Sequence, residues 1–322
     1  MPKTSAESTR FDPATAYEAA RLYYLDHATQ ADIAGRLNVS RPTVSRLIAE
    51  ARRIGLVDIT IHRPEDLRRV ADASHADIAG RLGIRKAYVA EGDQRGHEGA
   101  GLRGPVADAL TDAALRPGDV LLLSSGRTVY ELSRARVTVP PGLDVAPTVG
   151  GVSEPEAWYQ TNEIVRSFAE QAYGRAHFLF APARPSARML ATLRDDEDFT
   201  ALTAMWDRAA AALVGIGAPT SSRSSISRHI PAQGDELQTA VGDVCLNFFD
   251  LDGQPLEFDG SDRMVRISPD QLRQVPSSIA VAVGLEKVTS IVGAAASGMF
   301  DTLVTDAVTA SAVADYLDRR RN

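Results

Sequence analysis

The 322-residue chain has one cysteine, Cys245, which excludes an internal disulfide framework. It lies in the apolar string "VCLNFF", so an inert buried thiol is expected. No apolar run approaches membrane-spanning length, and the opening "MPKTSAESTRFDP" lacks the apolar core of a signal peptide. A cytoplasmic protein without membrane contact is the expectation. Six histidines (His27, His62, His75, His97, His177, His229) are widely scattered, no metal-ligand cluster accompanies them, and neither a metal nor another cofactor is expected. There is no G-x-S-x-G elbow, and "VGIGAP" and "SSGRT" lack the G-x-G-x-x-G phosphate turn of a nicotinamide dehydrogenase. Lysine is nearly missing, with only Lys3, Lys86 and Lys287.

The apolar share of 44% and charged share of 24% are ordinary for a globular chain. A net charge of −7 argues against a general nucleic-acid coat, but it hides a local asymmetry. Between Gly35 and Arg53 stand Arg36, Arg41, Arg46, Arg52 and Arg53 against one acid, Glu50, for a sum of +4. Charge alone would describe a solvated surface helix.

The helix pattern around it is more specific. Asp12-Pro13 is a helix start, and Ala16, Ala19, Ala20 and Tyr23 follow on one face. Thr29 opens a second helix with Asp32 three residues on, a weak form of the capping box. Ile33, Ala34 and Leu37 form its inner face, and Asn38 suits a left-handed stop. Ser40 caps a third helix with Pro42 in its first turn, and Val44, Leu47, Ile48 and Ala51 face inward. A small residue at 34, a turn residue at 38 and an apolar residue at 44 reproduce the helix-turn-helix spacing. Arg41, Thr43, Ser45 and Arg46 face outward, as groove-reading residues must. Thr29, Gln30 and Ser40, at the helix starts, complete the candidate DNA-contacting set. A structural αα-hairpin is the alternative. Beyond Gly55, "LVDITIH" alternates like a short wing strand.

From Asp66 to Leu82 a helix is expected to lead into a larger domain. The strings "KAYVA", "DVLLLS", "DVAPTV", "AHFLFA", "AALVGIG", "DVCLNFF", "SIAVAVG" and "DTLVTD" then read as strands between amphipathic helices, an α/β pattern. "FFDLDGQPLEFDGSDRMVRIS" breaks the alternation and reads as an antiparallel insertion. Many strands end in small or polar residues, and in open α/β sheets the ligand crevice lies beyond those ends. In "SSGRT", Ser124, Ser125 and Thr128 offer hydroxyls, Gly126 permits close backbone approach, and Arg127 adds charge ahead of a helix. Read alone, the string fits an ordinary strand-to-helix turn equally well. Lys287 follows "SIAVAVG" as a point charge at a strand end; a stray surface lysine is its alternative.

"TQADIAGRLNVSRPTVSRLIAEARRIGLVDITIHRP" resembles the DNA-binding head of the SorC family of bacterial sugar-responsive transcriptional regulators. "SSGRTVYELSRA", "TNEIVRSFAEQAYG" followed by "FAPA", "ALVGIGAP", "AVGDVCLNFFDLDGQPL", "VPSSIAVAVGLEKVTSIVGA" and "LVTDAVTA" resemble that family's effector domain in its usual order. The resemblance implies a head followed by an α/β effector domain related in fold to sugar-phosphate isomerases and deaminases, binding a phosphorylated sugar without turnover. It also implies homo-oligomers, dimeric or tetrameric, double-stranded operator DNA as partner, and control of a carbohydrate operon. It favours the phosphate role for residues 124–128, makes Lys287 face the effector, and adds Gly151, Asn162 and Asp243 as effector contacts; read alone, Asp243 equally fits a strand start and Asn162 a helix cap. There are departures. Some members carry a threonine pair where Arg127-Thr128 stand here, and some carry an arginine before the glycine pair, where Thr148-Val149 precede Gly150-Gly151. With that cation missing, a second ligand phosphate is not expected.

The resulting division is a disordered tail over 1–11, a DNA-binding domain over 12–63 and an effector-binding and oligomerisation domain over 64–322. Two other functions remain on sequence grounds. An isomerase or deaminase with a DNA-binding appendage would use Asp243 and Lys287 as an acid/base pair. A scaffold would use the basic helix only for packing.

Overall fold

The computed structural model describes residues 12–54, 56–57, 77–220 and 237–321. The chain divides into two compact units, Met1–Glu65 and Asp66–Asn322. The expected boundaries after residues 11 and 63, the disordered tail, nearly all of the wing and the first part of the helix from Asp66 lie outside the described residues. Residues 77–82 of that helix are helical.

The described residues of the first unit form three helices: α1 (Pro13–Tyr24), α2 (Gln30–Leu37) and α3 (Arg41–Arg53). Each starts on a side-chain cap. The Asp12 carboxylate accepts the Thr15 N–H at 3.1 Å, and Thr29 and Asp32 form a reciprocal capping box. Ser40 accepts the Thr43 N–H at 3.3 Å ahead of Pro42. Asn38 ends α2 in the left-handed region at φ 51°. Ile33, Val44, Leu47, Ile48 and Ala51 bury themselves against Ala16, Ala19, Ala20 and Leu22 of α1. Burial of a leucine or isoleucine here contributes about 1.5–3 kcal/mol.

The second unit is built on seven parallel strands: β1 (Lys86–Ala90), β2 (Val120–Leu123), β3 (Asp144–Pro147), β4 (Arg175–Ala176), β5 (Ala209–Gly217), β8 (Ser277–Val281) and β9 (Thr302–Asp306). Between β5 and β8 the chain inserts the antiparallel pair β6 (Gly242–Val244) and β7 (Asn247–Phe249). The order is β1-β9-β8-β5-β2-β3-β4, with β6 paired to the end of β5. Besides the helical residues 77–82, the described helices are α4 (Glu98–Gly101), α5 (Arg103–Asp112), α6 (Arg127–Arg134), α7 (Thr161–Gln171), α8 (Ala187–Arg194), α9 (Glu197–Thr203), α10 (Pro269–Gln274), α11 (Val288–Ser297) and α12 (Ala307–Arg321).

Strand side chains alternate between two cores. Leu122, Ala146, Ala212, Val214, Ala280 and Leu303 belong to one. Leu121, Leu123, Val145, Leu213, Ile279, Val281 and Val304 join Leu132, Ile164 and Phe168 in the other. That is why the strand strings read as apolar throughout.

Two strand expectations are corrected. "AHFLFA" does not continue as a strand beyond Ala176. The ladder reaches only as far as His177 N–H to Val145 O (2.8 Å), because Pro147 has no N–H for the next rung. The Leu179 N–H is taken instead by the Asn162 side chain at 3.1 Å. "DVCLNFF" is not one strand but a hairpin, β6 turning into β7 through Cys245 (φ 51°) and Leu246 (φ 62°). Two successive left-handed residues are the tight two-residue turn that matches strand twist. The Asp243 carboxylate accepts the Leu246 N–H at 2.9 Å and holds it. The antiparallel insertion therefore begins at Gly242, earlier than its sequence boundary, and ends where Arg266 pairs with Val149.

Candidate functional site

In the head, Arg41, Ser45 and Arg46 are exposed on α3, opposite buried Val44, Leu47 and Ile48. Thr43 is half-buried, its hydroxyl 2.8 Å from that of Ser40. The Thr29 hydroxyl donates to Asp32 at 2.6 Å, and that bond is the largest of the effects holding the Asp32 carboxyl below its usual range. Thr29 and Ser40 are thus occupied as caps that set the entry angles of α2 and α3, while Arg41, Ser45 and Arg46 are left facing solvent. Arg52 is used otherwise: its Nε donates to Tyr24 Oη at 2.7 Å, and its guanidinium lies 5.6 Å from that ring centroid.

In the larger unit the chain runs from β2 to β3 and β4 on one side and from β5 to β8 and β9 on the other. The direction of winding therefore switches between β2 and β5, the place where open α/β sheets bind ligands beyond the strand C-termini. Residues 124–128 stand at that point. Ser124, 2% exposed, stitches the two strands: its hydroxyl accepts the Gly215 N–H at 2.9 Å and donates to Ser125 O at 2.8 Å. Gly126 adopts φ 126°, ψ 151°, a conformation essentially restricted to glycine, and donates its N–H to Trp158 O at 2.8 Å. Helix α6 starts at Arg127 without a side-chain cap, so its first N–H groups and positive dipole end face the loop. The Arg127 guanidinium lies 4.6 Å from the Trp158 ring centroid, stacked rather than buried. Ser125 is half-buried and Thr128 nearly buried.

The remaining sequence-derived residues share this edge of the sheet with different freedom. Asp243 is opposite Gly217 at the end of β5. A Cβ on Gly242 would lie 2.7 Å from Gly217 O and 2.9 Å from Ser290 Cβ, so β5, β6 and α11 close tightly here. Lys287 precedes α11, at the C-terminal end of β8. Asn162 is engaged with the backbone, donating to Leu179 O at 3.2 Å as well as accepting its N–H, so its amide shapes the rim. The Gly151 N–H goes to Ala181 O at 2.8 Å. A Cβ on Gly150 would lie 2.7 Å from Ala181 O, which gives that glycine a packing reason. Cys245 is buried, and burial pushes its thiol up to about 12.

Two residues were not singled out from sequence. Trp158 supplies the carbonyl and ring that hold the 124–128 loop; its signal was one of only two tryptophans, set before "TNEIV". Arg266 projects from the return strand beside Val149; its only signal was a charge between two apolar residues. Among the described residues there is no cluster of potential metal ligands, and no helix is long and apolar enough to cross a membrane.

Residues 71–314 match the family described as "Putative sugar-binding domain", and residues 18–70 match the Crp-like helix-turn-helix domain. The chain is 29% identical over 306 residues to the sorbitol operon regulator of Klebsiella pneumoniae, covering 90% of this chain and 94% of that one. It is 30% identical over 310 residues to the deoxyribonucleoside regulator of Bacillus subtilis (strain 168), covering 93% and 97%. The crystal structure of full-length SorC from Klebsiella pneumoniae superposes with a TM-score of 0.69 at 28% identity, covering 94% of this chain and 99% of that chain. These relatives are named as regulators, and none of them supports the enzyme reading. The chain belongs to the SorC family of sugar-binding transcriptional regulators, with a helix-turn-helix head followed by a parallel-sheet α/β sugar-binding domain.

Proposed function

We propose that this chain is a cytoplasmic regulator of a carbohydrate operon whose grip on operator DNA is set by a phosphorylated sugar bound at residues 124–128. The observation that carries the effector half is the position of that loop. It stands at the winding switch, beside an uncapped helix start and a glycine in a glycine-only conformation. Ser125, Thr128 and the first α6 N–H groups would take the phosphate, with Ser124 holding the loop shape. Asp243 and Lys287 would meet sugar oxygens, while Gly151 and Asn162 would form the wall.

The DNA half rests on Arg41, Ser45 and Arg46 facing solvent from a helix whose other face, Val44, Leu47, Ile48 and Ala51, is buried. Thr43 and Gln30 would assist, with Thr29 and Ser40 acting through the helix ends. One head offers few cationic contacts, and such binding is weak and salt-sensitive. A homo-oligomer, dimer or tetramer, would therefore present two heads to half-sites roughly 34 Å apart or a multiple of that. A coupling of about 1–3 kcal/mol between effector and head arrangement changes operator affinity by roughly 5–150-fold. The relatives' names, one a sorbitol operon regulator and one a deoxyribonucleoside regulator, give a class of effector rather than its identity.

The test is retardation of the DNA upstream of this chain's own gene, titrated with phosphorylated pentoses and hexoses. Specific retardation that a phosphosugar alters is the expected result. No specific retardation at low salt would leave only the scaffold reading, and conversion of a phosphosugar at enzyme-like rates would overturn the regulator mechanism.

A further inference from the structure

Among the described residues the sheet ends on β4, and the chain beyond that strand keeps a strand's alternation. Toward β3, the N–H groups of Arg175 and His177 donate to Leu143 O at 2.9 Å and Val145 O at 2.8 Å. Leu179 then has both backbone groups on the Asn162 side chain, and Ala181 O accepts the Gly151 N–H at 2.8 Å. The odd-numbered residues thus turn their backbone groups inward, which leaves those of Ala176, Phe178 and Phe180 on the open edge. Among the described residues neither phenylalanine has a hydrogen bond. The side chains follow the same rule. Leu179 and Ala181 enter the core that holds Leu122, whereas Ala176 packs against the core of Val145. Phe178 and Phe180 share the face of Ala176; their ring centroids are 6.1 Å apart, and they are 37% and 84% exposed.

Folded chains blunt a bare edge with charge, proline or a bulge. Here an alanine and two phenylalanines fill the three outward positions. The window is closed at both ends: the Gly174 N–H is spent on Ala169 O at 2.9 Å, and Pro182 has no N–H to offer. Its midpoint is Phe178, so the segment is complementary to an antiparallel copy of itself. A two-fold axis at Phe178 sets Ala176 opposite Phe180, a small residue against a large one, and His177 opposite Leu179. Arg175 then faces Ala181, so no like charges meet across the pair. Such a pairing closes at two copies, whereas joining this edge to β1, at the other end of the sheet, would grow without limit. The area is also of the right order. At roughly 200 Å² per aromatic side chain, the exposed parts of Phe178, Phe180 and Tyr173 (89% exposed, just before β4) offer about 400 Å² per copy. That is half of the roughly 800 Å² a standard interface takes from each partner, before the backbone edge is added.

We propose that residues 176–180 pair antiparallel with the same residues of a second copy, making one sheet continuous across a two-fold dimer. The inference rests on the homo-oligomer part of the function proposed above, and it names the surface that would bring two heads into one assembly.

The test is sedimentation of the full chain at micromolar concentration. The double variant Phe178→Lys, Phe180→Lys sets ammonium groups against each other across the axis. It should halve the mass of the assembly or weaken its association at least about ten-fold. Phe178→Cys brings two thiols to the axis, since directly opposed hydrogen-bonded residues have Cα atoms roughly 5.5 Å apart, within disulfide range. Diamide should then join the chains covalently in pairs, while the unaltered protein, whose Cys245 is buried, stays unlinked. Circular dichroism checks the fold, and if the lysine variant unfolds, the cysteine cross-link decides. An unchanged mass in the folded lysine variant, or no cross-link, overturns the interface alone. A mass that climbs with concentration without limit marks open-ended pairing and overturns the two-fold arrangement. An unaltered chain that stays monomeric at tens of micromolar overturns the interface and the homo-oligomer reading together.

Discussion

Among the described residues, nine buried apolar side chains, four of them alanine, hold the head's three short helices, whereas the larger unit buries both faces of seven parallel strands. All three described helix starts of the head carry exposed side-chain caps, at Asp12, Thr29 and Ser40; in the larger unit only some helices are capped, at Ser186, Asp196 and Ser268, and the strands are fixed by burial, with Ser124 and Asn162 as polar stitches. A unit of the head's size has little margin, while the sheet can lose a contact and stay folded. The helix-turn-helix domain is thus the unit of smaller margin and the sugar-binding domain the one of larger margin.

The strongest way to break this contrast is Leu47→Ala. Truncating a fully enclosed leucine costs about 2–5 kcal/mol, comparable to the whole stability of a small helical unit. Operator retardation should disappear and helical ellipticity should drop, with phosphosugar binding retained; loss of ligand binding would show that the units do not fail separately. Next is Gly126→Ala, which forces a glycine-only conformation at a local cost of about 1–3 kcal/mol. Calorimetry should then show phosphosugar binding reduced at least about ten-fold, with operator retardation intact. Retained ligand affinity would move the anion away from this loop.

Arg46→Ala should weaken operator binding by about 1–3 kcal/mol with the thermal midpoint nearly unchanged. A large loss of stability would instead make Arg46 a structural residue. The smallest effect is acidic. Asp12 and Asp32 are both held below the usual carboxylate range, chiefly by hydrogen bonds from the Thr15 and Thr29 side chains. A depressed carboxyl adds stability above its unfolded value and loses it as pH falls through the folded one, so the caps fail only below about pH 4. Buried Asp144 follows the same rule: burial works to raise it, but His177 and Arg175 hold it low. The head's thermal transition should fall before that of the larger unit as pH drops; simultaneous loss would erase the difference in margin.

Legibility divides along the same line. Helix starts were readable because a cap and the N–H it satisfies lie three residues apart, as Thr29 and Asp32 do. The strands were readable because both faces are buried. The β6–β7 turn was hidden because Cys245 and Leu246, left-handed in the structure, carry no turn chemistry in sequence. "AHFLFA" misled because the partner of Leu179 is a side chain from another helix. The position of Arg266 depends on pairing with Val149, a contact between distant parts of the chain that no local pattern encodes.

The stacking of Arg127 on Trp158 gives the protein its own optical reporter. Of the two tryptophans, Trp206 is buried with its indole N–H fixed on Pro147 O at 2.8 Å. Trp158 is only half-covered and has a cation over its ring. Any anion that draws the guanidinium off that ring changes the environment of a half-covered fluorophore, so occupancy can be followed without a label.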